Sequence, residues 1–260
     1  MKLTLVFGFL LTAALYASVG FGGGSSYTAL LAISGISYTL IPVISLLCNI
    51  CVVSGNSWRY FRGGYIKLSQ VWPLFLVSIP AAMIGGMLRV SEALYLGLLC
   101  LALLLASLRM VFGSYAGDET AVELAAKYGK VLSGILGGLI GFISGIVGIG
   151  GGIFLAPVLY RLGWGRGSEQ GQNIAAACSL FILVNSIAGL AGQISKNASA
   201  EFYVQILPYW PLILAVLLGG TFGNMFSLHF FKAEQLRRVT GVLILIVAIR
   251  LIFKWVSMAS

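Results

Sequence analysis

The chain alternates long apolar runs with short polar gaps. Apolar segments fall at about 3–33, 41–57, 70–88, 93–112, 130–160, 172–194, 203–228 and 236–256. Six of them are close to the ~20 residues that a spanning helix requires. The first and fifth are longer, about 31 residues each, with a glycine cluster at the centre: SVGFGGG over Ser18–Gly24 and GIVGIGGG over Gly145–Gly152. Glycine is the poorest helix former after proline. A straight helix of that length would measure ~46 Å, well beyond a ~30 Å hydrocarbon core. Two half-length helices joined at the glycines would fit, so the pattern predicts a broken helix, twice.

The two halves match in order. Val19-Gly20-Phe21-Gly22-Gly23-Gly24 aligns with Val147-Gly148-Ile149-Gly150-Gly151-Gly152, Ser45-Leu46 with Ser179-Leu180, and Ser54-Gly55 with Ala188-Gly189. Trp72-Pro73-Leu74 then pairs with Trp210-Pro211-Leu212, Gly85-Gly86-Met87 with Gly223-Asn224-Met225, and Arg109–Phe112 with Arg250–Phe253. The offset drifts from 147 − 19 = 128 to 250 − 109 = 141, as short loop insertions would cause. Six ordered pairings indicate a duplicated unit.

Charge decides the relative orientation of the copies. The gap after segment 2 carries Arg59, Arg62 and Lys67, while its counterpart after segment 6 has only Lys196. The gap after segment 1 lacks Lys and Arg, while its counterpart has Arg161 and Arg166. Arg89 stands alone after segment 3, against Lys232, Arg237 and Arg238 after segment 7. Because cytoplasmic loops collect Lys and Arg, the bias changes sign between halves and favours inverted repeats. Inversion needs an odd number of crossings per repeat, which three helices plus a re-entrant hairpin supply. The expected fold is therefore all-α and polytopic: two inverted repeats, 1–112 and 130–260, each a glycine-broken helix followed by three spanning helices. Residues 113–129, with Asp118, Glu119 and Glu123, form the expected linker.

Composition agrees with a membrane protein. The chain is 59% hydrophobic and 9% charged, against roughly 25% charged in soluble domains, and its mean hydropathy is +1.01. The +9 net charge lies mostly between apolar segments, where it orients helices and anchors headgroups rather than binding nucleic acid. Cys48, Cys51, Cys100 and Cys178 all lie in apolar segments, which argues against a disulfide framework. Cys48 and Cys51 match CxxC, but no second CxxC or His pair completes a metal site. The run from Met1 to Ala17 resembles a signal peptide; its glycine break recurs later in the chain, so it reads as a retained segment.

The chemistry inside the membrane is neutral and polar. No Asp or Glu lies within an expected span, and the single histidine, His229, ends segment 7. The carboxylate relays usual in proton-coupled carriers are therefore missing. No metal cluster, Ser-His-Asp set or nucleotide P-loop is present, so neither an enzyme nor a cofactor is expected. What remains is Gly22, Gly23, Gly24, Ser25, Ser26 and Tyr27 at the first break, and Gly150, Gly151 and Gly152 at the second, with Ser18, Thr28 and Ser144 nearby. Segment 2 adds Ser45, Asn49, Ser54 and Asn56; segment 6 adds Gln172, Asn173, Ser179, Asn185, Ser186 and Gln193. Hydroxyls, amides and freed backbone N–H groups donate hydrogen bonds, which suits an anion, and a half-helix N-terminus adds a positive dipole end. The competing role for each Ser or Gly is close helix packing. Irregular backbone at membrane depth survives only where it is buried or lines a cavity, and that favours a site at the paired breaks. Arg59 could gate the cytoplasmic approach of anions, with a positive-inside marker as the simpler account. Arg109 and Arg250 suit snorkelling, and Trp58, Trp72, Trp164 and Trp210 suit interfacial anchoring.

Two half-chains that each open with a VGxGGG-like break, followed by a Ser-Leu helix and a basic loop, resemble the TauE/SafE family of sulfite exporters and sulfonate permeases. The resemblance covers nearly the whole chain. It implies transport of sulfur-containing anions, sulfite or organosulfonates such as sulfoacetate, across a bacterial inner membrane, more often outward. It places the substrate region on Gly22–Tyr27, Gly150–Gly152 and the polar faces of segments 2 and 6. Ser25-Ser26 after the first glycines, against Ile153-Phe154 after the second, makes an asymmetric site. Without buried acids, the expected mechanism is potential-driven export by alternating access. The alternatives are an anion channel, uptake instead of export, and an intramembrane enzyme or assembly subunit. The expected partners are a small anion and the lipid bilayer, with no nucleic acid and a homodimer left open.

Overall fold

A computed structural model of the chain describes residues 3–65, 68–112, 119–161, 164, 170–197, 199–225, 241–242, 244–246, 248–253 and 255–256. Among them the architecture is helical throughout. The first long segment splits into α1 (Leu3–Ser18) and α2 (Gly24–Ile33), followed by α3 (Ile41–Arg62), α4 (Leu68–Met87) and α5 (Glu92–Phe112). The second half repeats the order: α6 (Glu119–Val147), α7 (Gly152–Arg161), α8 (Gln170–Lys196), α9 (Ala200–Ile206) and, after a 3₁₀ turn at Leu207–Tyr209, α10 (Trp210–Met225). An apolar helix, Ile244–Phe253, closes the described chain. Among the described residues three stretches are long and apolar enough to cross a membrane: Ile41–Arg62, Gln170–Lys196 and Ala200–Met225.

Each expected glycine break is present, between α1 and α2 and between α6 and α7. Part of the expected linker, 113–129, is helical. Residues 113–118 lie outside the described ones, but the chain is already helical from Glu119. The stretch ETAVELAAKYGK explains why: Ala, Glu, Leu and Lys are strong helix formers. His229, Asp118, Lys67, Arg166, Lys232, Arg237 and Arg238 also lie outside the described residues.

Polarity runs inside out. Leu11, Leu76, Leu101, Leu139, Leu218 and Phe222 point outward, while Ser45, Asn49, Asn56, Ser179, Asn185 and Gln193 are fully buried. A water-soluble protein does not expose apolar side chains over its whole girth; a surface in contact with acyl chains does. Trp58, Trp72 and Trp210 are exposed, as interfacial anchors are.

Glycines bring the helices of the two halves together. A Cβ on Gly137, Gly141 or Gly145 of α6 would meet the Leu74, Ser78 or Ala82 carbonyl of α4. Both series advance by four residues, so α4 and α6 run parallel along one ridge. Gly219 and Gly223 of α10 lie in the same way against the Leu10 and Ala14 carbonyls of α1. Gly85 of α4 meets the Phe142 carbonyl, whereas its counterpart Gly223 meets that of Ala14. Phe142 and Ala14 are separated by 142 − 14 = 128 residues, the offset that relates the two breaks. The interfaces α4–α6 and α10–α1 thus exchange when the halves are exchanged. Helices α3 and α8 run antiparallel: Leu46 lies near Gly189, Ser57 bonds Ser179, and Tyr60 packs with Ala175 and Ala176.

Small-residue packing of this kind predicts that Gly141→Leu destabilises the fold by ~1–3 kcal/mol through overpacking. Thermal unfolding of the purified protein in detergent measures it; an unchanged midpoint would contradict the ridge.

Candidate functional site

The breaks start from one local conformation. Gly20 and Gly148, which occupy matched positions, have φ of +83° and +84°. This is the left-handed C-terminal helix ending that only glycine adopts without strain. The chain then turns back on itself. Tyr27 of α2 stacks on Phe9 of α1 with ring centroids 4.7 Å apart. Leu30 touches Gly8, and the Tyr16 hydroxyl reaches Ser26 Oγ at 3.1 Å and Ser25 Oγ at 3.5 Å. Helices α1 and α2 therefore form a hairpin. At the second break Gly151 lies against Ser144 and Ile140, so α7 also leaves by folding back over the end of α6.

The two breaks touch. A Cβ on Gly24 would meet the Ile149 carbonyl and Asn49 Nδ2. One side chain of α3, Ser45, donates to both breaks, at 2.8 Å from the Gly148 oxygen and 3.2 Å from the Gly24 oxygen. One turn on, Asn49 Nδ2 donates to the Ile149 oxygen at 3.2 Å, while Asn49 Oδ1 faces Gly22.

Carbonyls at a helix C-terminus lack intrahelical partners, and here side chains from three other helices supply them. Gln193 Nε2 of α8 donates to the Gly145 and Ile146 oxygens at 2.8 and 3.3 Å. The Tyr95 hydroxyl of α5 donates to the Val147 oxygen at 3.2 Å. Ser45 and Asn49 take the next two. The donors of Ser45, Asn49 and Gln193, expected to face an anion, are thus committed to backbone oxygens. Tyr95 carries no mark in the sequence that distinguishes it from other aromatics in apolar runs.

The unpaired groups at the junction are of both kinds, and two of them, Asn49 Oδ1 and Gln193 Oε1, are acceptors buried without a partner. The N–H groups of Gly22, Gly23, Ile149 and Gly150 find no acceptor among the described residues. Three buried hydroxyls are also without partners: Ser186 beside Gly150, Ser144 beside Gly151 and Tyr27 beside Gly23. The positive ends of α2 and α7 start here as well, at Gly24 and Gly152. Such a cluster can hold an anion through hydrogen bonds without a formal positive charge.

Other expected site residues stand apart from the junction. Ser25 and Ser26 face Tyr16 within the first hairpin. Asn185 donates to the Phe181 oxygen of its own helix at 2.9 Å. Further along α3, Asn56 Nδ2 reaches the Phe21 oxygen at 3.4 Å, and Ser57 Oγ lies 2.9 Å from Ser179 Oγ. Arg59 donates to the Asn224 oxygen of α10 at 3.2 Å and lies over the Tyr60 ring. These contacts close the α3 C-terminal end of the bundle.

The opposite end is hollow. A cavity of about 580 Å³ opens between Tyr38, Arg89, Tyr95 and Lys196, with Pro42, Ile146 and Gln193 also lining it. Those last three border the second break directly, because Gly148 packs on Pro42 and Gln193 holds the Gly145 and Ile146 carbonyls. Among the described residues no group of three His, Cys, Asp or Glu could hold a metal.

Residues 5–251 match the family described as Sulfite exporter TauE/SafE. The chain belongs to the TauE/SafE family. It is also 30% identical over 250 residues to a protein of Sinorhizobium fredii described as "Probable membrane transporter protein y4hK", covering 96% of this chain and 97% of that one. No solved structure matches. As a TauE/SafE protein with apolar outward faces, the chain is an integral membrane protein of a transporter family. The resemblance read from VGxGGG and its twin is thereby shown.

Proposed function

We propose that this TauE/SafE protein is a secondary transporter that exports sulfite or small organosulfonates across a bacterial inner membrane. The contact between the two glycine breaks carries this reading. Backbone from both halves meets there, the carbonyls are capped from outside, and unpaired N–H and O–H groups remain in buried surroundings. An oxyanion accepts several hydrogen bonds at once, and in a water-poor site a neutral cage of donors binds it with little need for a fixed cation.

The antiparallel pairing of α3 with α8 and the exchange of α4–α6 with α10–α1 support inverted repeats in a multi-pass fold. The hairpins are then re-entrant, and each half moves against the other around the junction. Ser57–Ser179 and Arg59–Asn224 close one end while the cavity opens the other. With no carboxylate at the junction among the described residues to carry a proton, the membrane potential supplies the drive. An interior negative by 100 mV favours efflux of each negative charge by ~2.3 kcal/mol.

A thermal-shift panel on purified protein tests the substrate class. Sulfite, thiosulfate or sulfoacetate should stabilise the protein in the millimolar range, more than taurine or a carboxylate of similar size. Stabilisation by a cation or a neutral sugar alone would refute the anion reading.

A further inference from the structure

The cavity at the α3 N-terminal end is not needed to build the junction, and its chemistry differs from the junction's. Arg89 and Lys196 line it, and among the described residues no Asp or Glu does. The two cations are tied to the same pair of helix ends: Arg89 Nη2 donates to the Lys196 oxygen at 3.1 Å, and Lys196 Nζ donates at 2.9 Å to the oxygen of Leu88, the residue before Arg89. Each keeps further N–H groups beyond that single bond. Two like charges thus sit side by side with only neutral acceptors, an arrangement that an anion relieves. The volume of about 580 Å³ falls within the range of small-molecule pockets and leaves room for an organic tail or for water. The floor is continuous with the caps of the second break at Gln193 and Ile146.

The position also has a counterpart. The offset that pairs Gly55 with Gly189, 189 − 55 = 134, pairs Arg62 with Lys196, 196 − 62 = 134. The cations at the two ends of the α3–α8 pair are therefore matched, one set at the closed end and one at the hollow end.

We propose that this cavity is a second anion site: a vestibule in which Arg89 and Lys196 hold a small sulfonate or sulfite ion on its way to or from the junction. The proposal rests on the transport reading given above for the identity of the anion. Steering by paired cations concentrates such an ion at the mouth of the path.

Thr39 lines the vestibule and is half-buried, while Cys48, Cys100 and Cys178 are buried and Cys51 is half-buried. A Thr39→Cys variant in neutral-lipid nanodiscs, where no anionic headgroup competes, therefore reports locally through its thiol. Its labelling by a thiosulfonate reagent bearing a sulfonate should exceed that by the trimethylammonium analogue. Ethanesulfonate should slow the reaction at least tenfold, and adding R89Q and K196Q should remove both the preference and the protection. The single variants R89Q and K196Q, each checked by thermal melting, should show part of that loss. Labelling that ethanesulfonate does not slow, or protection that survives R89Q and K196Q together, overturns the vestibule. Failure of the transport reading is seen separately: wild-type liposomes then move no sulfur anion, whatever the labelling shows.

Discussion

Gly24→Ala should cut transport about tenfold or more in a protein that still reaches the membrane. The added methyl would meet the Ile149 carbonyl and Asn49 Nδ2 at the point where the two breaks touch. One neighbour is backbone and the other is held by its own hydrogen bond, so neither can yield cheaply. Overpacking of this kind costs ~1–3 kcal/mol, and 1.4 kcal/mol changes an equilibrium tenfold. In the alternating-access cycle proposed above this contact is re-formed in each turn, so flux should fall about tenfold or more. Gly129→Ala is the control. Nothing lies within 4 Å of that position, on an α6 turn away from the junction. Alanine is favoured over glycine in a helix by about 1 kcal/mol, so this change should be silent or mildly stabilising. Equal flux in Gly24→Ala and wild type would remove the junction from the mechanism.

Ser45→Ala should have the next largest effect. Its hydroxyl is the described donor to the Gly148 oxygen and one of two to that of Gly24, which Thr28 also reaches. Removing it leaves a buried carbonyl unpaired, at a cost of ~1–3 kcal/mol. It also uncouples the two breaks. Thermal stability and flux should fall together. The matched change, Ser179→Ala, makes a useful contrast. Ser179 shares a hydroxyl–hydroxyl bond with Ser57 and reaches the Val53 oxygen of α3 at 3.4 Å. Ser57 can rotate to bond its own helix, and the Val53 carbonyl lies in a helix interior with an i+4 partner. Its cost should stay below about 1 kcal/mol, the typical net worth of one hydrogen bond. Equal losses at both positions would contradict the asymmetric role assigned to Ser45.

Much of this arrangement was legible in the chain. The excess length of the first and fifth apolar segments, with glycines at the centre, located both breaks. Expected segments 41–57, 70–88, 93–112 and 172–194 correspond to α3, α4, α5 and α8. The sequence names Ser45 as one polar residue of segment 2 among four; its position against both breaks is a fact of the fold. Other features were hidden for physical reasons. Hydrogen-bond direction cannot be read from composition, so Asn49 and Gln193 look like ligand donors until the carbonyls they cap are seen. Tyr95 is one aromatic among many until its hydroxyl is placed on Val147. Ser186 and Ser144 matter because of their distance to Gly150 and Gly151, a tertiary fact. The series Gly137, Gly141, Gly145 was visible as small residues at four-residue spacing, a packing motif whose partner helix no local pattern names. Arg89 and Lys196 lie 107 positions apart in sequence, and only the fold brings them together.

Potential-driven flux tests the central claim most directly. Wild-type protein in liposomes, given a potassium diffusion potential and no proton or sodium gradient, should move sulfite away from the negative compartment. At 100 mV the ratio reached should be on the order of 50-fold per negative charge carried. Reversing the potential should reverse the direction, and Gly24→Ala should cut the flux about tenfold or more in both. Sulfite movement that requires an imposed proton or sodium gradient, or that persists unchanged in Gly24→Ala, would contradict the account.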